Sequence, residues 1–478
     1  YNKLGHALNA SEVIEEKTLD KWEGDLADWS EIGYSGDGGV SSRFGWAVAI
    51  SDDGSIFATS MVERIFDVDG IIFKNLVSSL SRGDDILEYG ITRINNTYLG
   101  YSLDLTDDGT KVLYSHLEVD DLEGDQSNRI GMDIGGETIA VASNVGAVGD
   151  RFGFSVATAG DGNTVIIGAP SDDDNGDSSG SVTIYKYDGT NWSIGVNSPL
   201  AGAAAGDQFG YSVDISDDAT FVAVGSPTSD IVTADQGIVA VYTVDNDGSI
   251  WHQAFLDGEA AGDKFGRRVS ISADGNTFVA SVTYIGHLRV YRYNGTNWDK
   301  LGSDIDSGQT GFGSECSISS DGNTIAGGSQ ANIVSVYRYS VAESGWVKLG
   351  LDIDGEAAGD GLLFCSLSAD GNTIAVGAPN NDDNGDNSGH VRVYRYDSTN
   401  WVQLGSDIDG EAEGDGSGTC SLSADGNTVA IGAPNNDDNG SQSGHVRVYK
   451  YSVTEGWVQL GLDIDGEAAG DTSGARKA

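Results

Sequence analysis

Proline, cysteine and methionine are scarce in this chain of 478 residues, with five, three and two copies. Helical periodicity is almost absent, and only Ala10 to Lys21 carries the pattern of a short helix. No apolar run approaches the roughly 20 residues that a membrane-spanning helix requires. The longest, around Ile71-Ile72-Phe73, is short and interrupted, so no membrane insertion of this chain is expected. Positive charge is scarce as well: 26 Lys and Arg stand against 74 Asp and Glu, a net charge of −48. Phosphate contacts need clustered basic side chains, which argues against nucleic acid as a partner and disfavours an anionic membrane surface. Two readings of the acidity stand side by side: a solvated surface that keeps a secreted protein soluble, and carboxylates that take divalent cations. The chain opens at Tyr1 rather than Met, which reads as a processed, trimmed or excised sequence.

What is abundant is glycine, with 69 copies, and repetition. A short turn recurs eight times: Asp53-Gly54, Asp108-Gly109, Asp161-Gly162, Asp218-Ala219, Asp274-Gly275, Asp321-Gly322, Asp370-Gly371 and Asp425-Gly426. Successive spacings are 55, 53, 57, 56, 47, 49 and 55 residues. A period of that length filled with β-type residues means one small sheet per repeat. The third repeat is the cleanest. Phe152 to Val156 alternates as a first strand, and Thr164 to Gly168 is a short apolar second. Val182 to Tyr187 alternates as a third strand, and Trp192 opens a weaker fourth. Four short antiparallel strands joined by Gly, Asp and Asn turns describe one propeller blade, so the fold expected is an all-β propeller. Eight blades fits the count best, with seven plus a leftover unit second. The expected organisation is a flanking segment at 1–21, the propeller at 22–465, and a tail or the start of a further repeat at 466–478. A copy of the fourth strand at Trp29 to Gly33 could close the ring by completing the last blade.

The cysteines fall in register with this repeat. Cys316, Cys365 and Cys420 fill a first-strand slot held elsewhere by Val48, Leu103, Val156, Val213 and Val269. Such slots in neighbouring blades lie too far apart for a disulfide, so buried thiols acting as small hydrophobes are expected.

Phe152-Gly153 with Gly168-Ala169-Pro170, and Phe209-Gly210 with Gly225-Ser226-Pro227, resemble FG-GAP repeats. Phe44-Gly45, Phe265-Gly266 and Phe312-Gly313 keep the first half, and Gly377-Ala378-Pro379 and Gly432-Ala433-Pro434 the second. The family builds the β-propeller head of integrin α subunits and many secreted microbial proteins. The resemblance implies adhesion or ligand binding outside the cell. It also implies calcium in a loop Asp-x-Asp-x-Asp-Gly-x-x-Asp between first and second strands. Here that connection is only Ser-x-Asp-Gly-Asn-Thr, as in Ser272 to Thr277, which puts calcium at the usual place in doubt.

A second place for calcium is the loop between second and third strands. It is long and acidic in repeats three, seven and eight, and nearly deleted in five and six. The candidate ligands are Asp172, Asp174, Asp177, Asp382, Asp383, Asp386, Asp437 and Asp438. Calcium takes six to eight oxygens, which clustered Asp and Asn around a Gly turn can supply. The same residues are also the ordinary makers of polar turns. Variation confined to one class of loop marks one face of the ring as the specialised surface.

The links Asp352-Ile353-Asp354-Gly355-Glu356 and Asp407-Ile408-Asp409-Gly410-Glu411 read as structural crossings between blades, with a second carboxylate set. The recurrent Trp reads as packing between blades rather than as sugar-stacking platforms. His390 and His445 share one slot before Val-Arg-Val-Tyr, with His287 in a similar one; one His per blade argues against a transition-metal site. Arg82-Gly83-Asp84 spells an adhesion tripeptide of the kind that recurs by chance. Sequons at Asn9, Asn95, Asn191, Asn294 and Asn439 favour secretion mildly. No His-Glu-x-x-His motif and no phosphate loop occurs, and nothing singles out two carboxylates as a glycosidase pair.

The expectation is a non-enzymatic protein of the cell surface or exterior that presents loops to a protein or glycan partner. Self-assembly, or assembly with other extracellular structural proteins, into a filament, appendage or matrix is a variant of it. The alternatives are a carbohydrate-binding lectin propeller and, behind it, a polysaccharide-acting enzyme.

Overall fold

No helix occurs among the described residues, as the missing 3.6-residue period foretold. The computed structural model describes residues 40–52, 54, 56–67, 70–81, 97–107, 111–118, 129–134, 137–143, 149–230, 233–245, 248–283, 286–309, 311–362, 364–438, 440–465 and 476–477. The expected helix at Ala10 to Lys21, the strand at Trp29 to Gly33 and the Arg82-Gly83-Asp84 triplet lie outside these residues.

The described strands fall into eight sheets, each built on a chain-ordered antiparallel set of three or more strands, and the fold is an all-β propeller. The third sheet shows the plan. Ser155–Thr158, Thr164–Ala169 and Ser181–Tyr187 pair in order, and the outer edge is supplied by Trp192–Ile194 and Leu200–Ala201. The outer strand is thus broken in two, and both pieces pair with the third strand. The same break recurs in the fifth to eighth sheets, where the second piece is Ile305–Asp306, Ile353–Asp354, Ile408–Asp409 or Ile464–Asp465. Part of what reads in the sequence as a crossing between blades is therefore outer strand. In the first sheet, the apolar run around Ile71-Ile72-Phe73 lies in a long hairpin, Ile56–Asp67 with Gly70–Ser81. Arg476–Lys477 lies parallel to Val40–Ile50 of that sheet.

The sheets meet face to face. The second strands of the third to eighth sheets, such as Thr164–Ala169 and Thr428–Ala433, are buried at every position. Ile166, Val182 and Ile184 of the third sheet pack on Phe209, Val222 and Val224 of the fourth. Each such side chain contributes about 1.5–3 kcal/mol when fully buried. Cys365 and Cys420 are buried, Cys316 is partly so, and none of the three is in a disulfide, as their slot predicts.

At the turns between first and second strands, backbone hydrogen bonds tie sheet to sheet at six boundaries. The N–H of Asp52 donates to Asp107 O (3.0 Å), Gly160 to Asp217 O (3.0 Å) and Asp217 to Ala273 O (3.1 Å). Ser320 donates to Ala369 O and Ala369 to Ala424 O, both at 3.0 Å. Ala424 donates to Asp52 O, also at 3.0 Å, which joins the last sheet to the first and closes the ring.

Candidate functional site

The Asp-Gly turns stand where the resembled family holds calcium, and their carboxylates are already engaged. Asp274 Oδ1 accepts from Ser272 Oγ (2.7 Å) and from the N–H of Asn276 (3.0 Å), and Oδ2 accepts from Asn276 Nδ2 (3.1 Å). Asp321, Asp370 and Asp425 repeat the pattern. A cation from the preceding sheet also sits on the turn. Arg292 donates to Gly322 O (2.8 Å) and Asn323 Oδ1 (2.9 Å), Arg338 to Gly371 O and Asn372 Oδ1, and Arg395 to Gly426 O and Asn427 Oδ1. Burial alone would raise the Asp274 carboxyl; the Ser272 hydroxyl, the Asn276 donors and Arg292 outweigh it and hold it below its ordinary value. Calcium needs six to eight oxygens. These turns, with their carboxylates spoken for and a guanidinium in place, do not fit it.

The three acidic loops share one shape. Asp172, Asn381 and Asn436 each cap the N–H two residues on, at 2.8, 3.0 and 3.1 Å. Asp173, Asp382 and Asp437 each accept the N–H five residues on, at 2.7, 2.8 and 2.5 Å. Gly176, Gly385 and Gly440 hold φ of 127°, 133° and 127°, open in practice to glycine alone. Of the expected calcium ligands, Asp172, Asp382 and Asp437 close their own loops in this way. Asp174, Asp177, Asp386 and Asp438 are exposed, and Asp383, also exposed, turns its carboxylate toward Glu356. Gly176-Asp177-Ser178-Ser179-Gly180 has the spacing of a hydrolase nucleophile elbow, but it bends between two antiparallel strands with no helix behind it. Asn191 and Asn294 are exposed, and Asn9, Asn95 and Asn439 lie outside the described residues.

One of the loop carboxylates meets partners that sequence reasoning set aside. Asp383 converges with Glu356 from the preceding sheet's link, with Asp407, and with His390 at the start of a third strand. One ligand atom from each lies within 4.8 Å of the others. The His390 side chain is fully buried, and its Nδ1 lies 4.0 Å from both Glu356 Oε2 and Asp407 Oδ2. Glu411, His445 and Asp463 repeat three of these positions one sheet on. Arg392 Nη1 is 3.5 Å from Glu356, and Arg447 Nη1 is 3.5 Å from Glu411. A hydrogen bond with Asp383, then burial, pushes the Glu356 carboxyl up. Burial, followed by the charge of the arginine two residues on, pushes both His390 and His445 down.

The Trp series packs as expected. Trp346, Trp401 and Trp457 donate Nε1–H to the carbonyls of Leu301, Leu349 and Leu404 on the sheet before, at 2.7, 2.7 and 2.5 Å. Trp251 differs: it is 54% exposed on the outer strand Ile250–Asp257, as is Phe255 farther along the same strand, at 55%.

The FG-GAP repeat profile matches residues 137–185 and 364–394, so the chain carries FG-GAP repeats at these two places. No curated protein sequence is significantly similar to the chain. Among solved structures it is similar to the periplasmic gluconolactonase of Pseudomonas aeruginosa, at 15% identity and a TM-score of 0.44, covering 78% of this chain and 96% of that one. It is similar also to hydrazine synthase of Kuenenia stuttgartiensis, at 13% identity and a TM-score of 0.46, covering 74% and 96%. A protein from Lactobacillus plantarum aligns at 12% identity and a TM-score of 0.46, covering 75% and 98%.

Proposed function

With FG-GAP repeats on a closed β-propeller as the premise, we propose that the protein is a non-enzymatic recognition or structural protein of the cell surface or exterior. The observation that supports this most is the trio of acidic loops. They are fixed to one shape by their own side chains, yet they leave Asp174, Asp177, Asp386 and Asp438 exposed. Outward carboxylates on a rigid ring suit calcium that bridges to a protein or glycan partner, or to another copy in a filament or matrix. Light scattering on the full chain during a calcium titration tests the reading. Growth into large species that a chelator reverses is expected, and a monomer at every calcium concentration counts against assembly.

A second reading, carbohydrate binding, rests on Trp251 and Phe255. Each of these exposed rings could stack on a sugar face, whereas Trp192, Trp298, Trp346, Trp401 and Trp457 are buried or partly buried. A glycan array read with the native chain and with Trp251→Ala separates the two: specific hits lost in the variant favour the lectin.

A further inference from the structure

The fifth, seventh and eighth sheets share a constellation, and one position in it differs. In the fifth sheet, Glu259, His287, Arg289 and Asp304 stand where Glu356, His390, Arg392 and Asp407 stand in the seventh. The fifth sheet adds Lys300, whose Nζ reaches Glu259 Oε1 at 2.9 Å and Asp304 Oδ1 at 2.5 Å. His287 Nε2 then lies 3.3 Å from Asp304. The sixth sheet also has lysine in this slot, with Lys348 paired to Asp352. In the seventh and eighth sheets the slot holds Gln403 and Gln459, neutral side chains that donate to Asp407 and Asp463.

The seventh sheet therefore gathers Glu356, Asp383 and Asp407 without the ammonium that its counterpart supplies. It also buries an imidazole against them. Neither ring nitrogen of His390 has a hydrogen-bond partner among the described residues, although the side chain is fully buried. A polar group so placed ordinarily finds a partner, because leaving it unsatisfied costs about 1–3 kcal/mol. The 4.0 Å from Nδ1 to each of two carboxylate oxygens is too long for a hydrogen bond. A tetrahedral ion that binds nitrogen and oxygen at about 2.0–2.2 Å sets them about 3.4 Å apart, so each carboxylate would draw in by about 0.6 Å to share one. Glu356 and Asp407 remain partly exposed, which leaves a way in.

We propose that Glu356, Asp383, His390 and Asp407 form a binding site for a divalent first-row transition metal, zinc or manganese in chemical class, in the position that Lys300 fills in the fifth sheet. The imidazole separates this site from an all-oxygen calcium site. Its ligands come from both sides of the boundary between the sixth and seventh sheets, so the metal clamps one blade to the next. Glu411, His445 and Asp463 form a three-ligand version one boundary on. The third sheet has Ser181 in the histidine slot, hydrogen-bonded to Asp172 at 2.7 Å, and makes no such site.

The test is a cobalt titration of the full chain, free of any histidine tag, followed by visible absorption with zinc as competitor. The native chain should develop a cobalt spectrum that zinc abolishes and calcium leaves in place. His390→Gln should weaken the tighter equivalent at least tenfold. Gln403→Lys should do the same, because it installs the resident cation of the fifth sheet. A lysine already folds in this slot twice, so metal-free Gln403→Lys should unfold at the native temperature or above. No cobalt spectrum in the native chain, displacement of cobalt by equimolar calcium, or an undiminished tight equivalent in Gln403→Lys would overturn the assignment. Calcium-driven assembly through the exposed loops is a separate readout and should survive Gln403→Lys.

Discussion

The carbonyl oxygen of Gly210 occupies the space where a side chain on Gly168 would begin: a Cβ on Gly168 would lie 2.1 Å from it. The two glycines come from adjacent blades, one from the Gly-Ala-Pro of the third repeat and the other from the Phe-Gly of the fourth. Gly225 meets Gly266 O, and Gly377 meets Gly418 O, in the same way, at 1.9 and 1.6 Å. Ser155 Oγ donates to Gly210 O at 2.9 Å, and Ser212 Oγ to Gly266 O at 2.8 Å. The two halves of the repeat motif are thus the two sides of one blade-to-blade contact.

Gly168→Ala should therefore destabilise the ring although alanine favours strand geometry over glycine. Overpacking of this kind costs about 1–3 kcal/mol. Thermal unfolding checks it; an alanine variant as stable as the native chain would mean that the blades can part without penalty.

Arg338 makes a second boundary contact, donating to Thr324 Oγ1 in its own sheet and to Gly371 O and Asn372 Oδ1 in the next, each at 2.9 Å. Arg338→Ala should cost about 1.5–3 kcal/mol, the range for hydrogen bonds to a charged group. Arg338→Lys should recover only part of the loss, since one ammonium lacks the planar fork that reaches three acceptors. Chemical denaturation of both variants reads this directly. Full rescue by lysine would reduce the contact to simple charge.

Asp214 sets a pH dependence. It lies on the inner strand Ser212–Ile215, where burial, then the charge of Asp104, pushes its carboxyl up to about 7, against the N–H donors of Ile271 and Ile215. The ordinary value is 3.8, so between there and about 7 the folded chain holds a proton that the unfolded chain has released. Stability contributed by this group is present at low pH and declines as pH rises through that window, by at most about 1.4 kcal/mol per pH unit. Unfolding temperatures measured from pH 4.5 to 8 should show the decline, and Asp214→Asn should flatten it. An unchanged slope in the variant would place the titration elsewhere.

The fold was legible because each repeat carries its own instructions. Alternation in Val182 to Tyr187, the Asp-Gly turn and the paired glycines all act within one blade or at one boundary. The break in the outer strand was less visible. Ile353–Asp354 is only two residues long, and its pairing with Ile333 and Val334 depends on the chain doubling back after Gly350. The His390 cluster escaped notice for a different reason. Its ligands come from separate segments on both sides of a sheet boundary, so no spacing in the sequence joins them. One trace was present: Trp298-Asp299-Lys300-Leu301-Gly302 becomes Trp401-Val402-Gln403-Leu404-Gly405, a lost cation beside a retained aspartate. In the acidic loops, Asp172, Asp173, Asp382 and Asp437 hold the loop in shape, a use of charge that the sequence pattern does not distinguish from ligand binding.

The outward loop carboxylates carry the functional reading, and one comparison tests it most directly. Light scattering is recorded across a calcium titration for the native chain and for the combined variant Asp174→Asn, Asp177→Asn, Asp386→Asn, none of which closes its loop onto the backbone. The account predicts calcium-dependent, chelator-reversible growth of the native chain and a variant that stays monomeric at the same calcium concentrations with unchanged thermal unfolding. Identical behaviour of the two chains, whether both assemble or neither does, would contradict it.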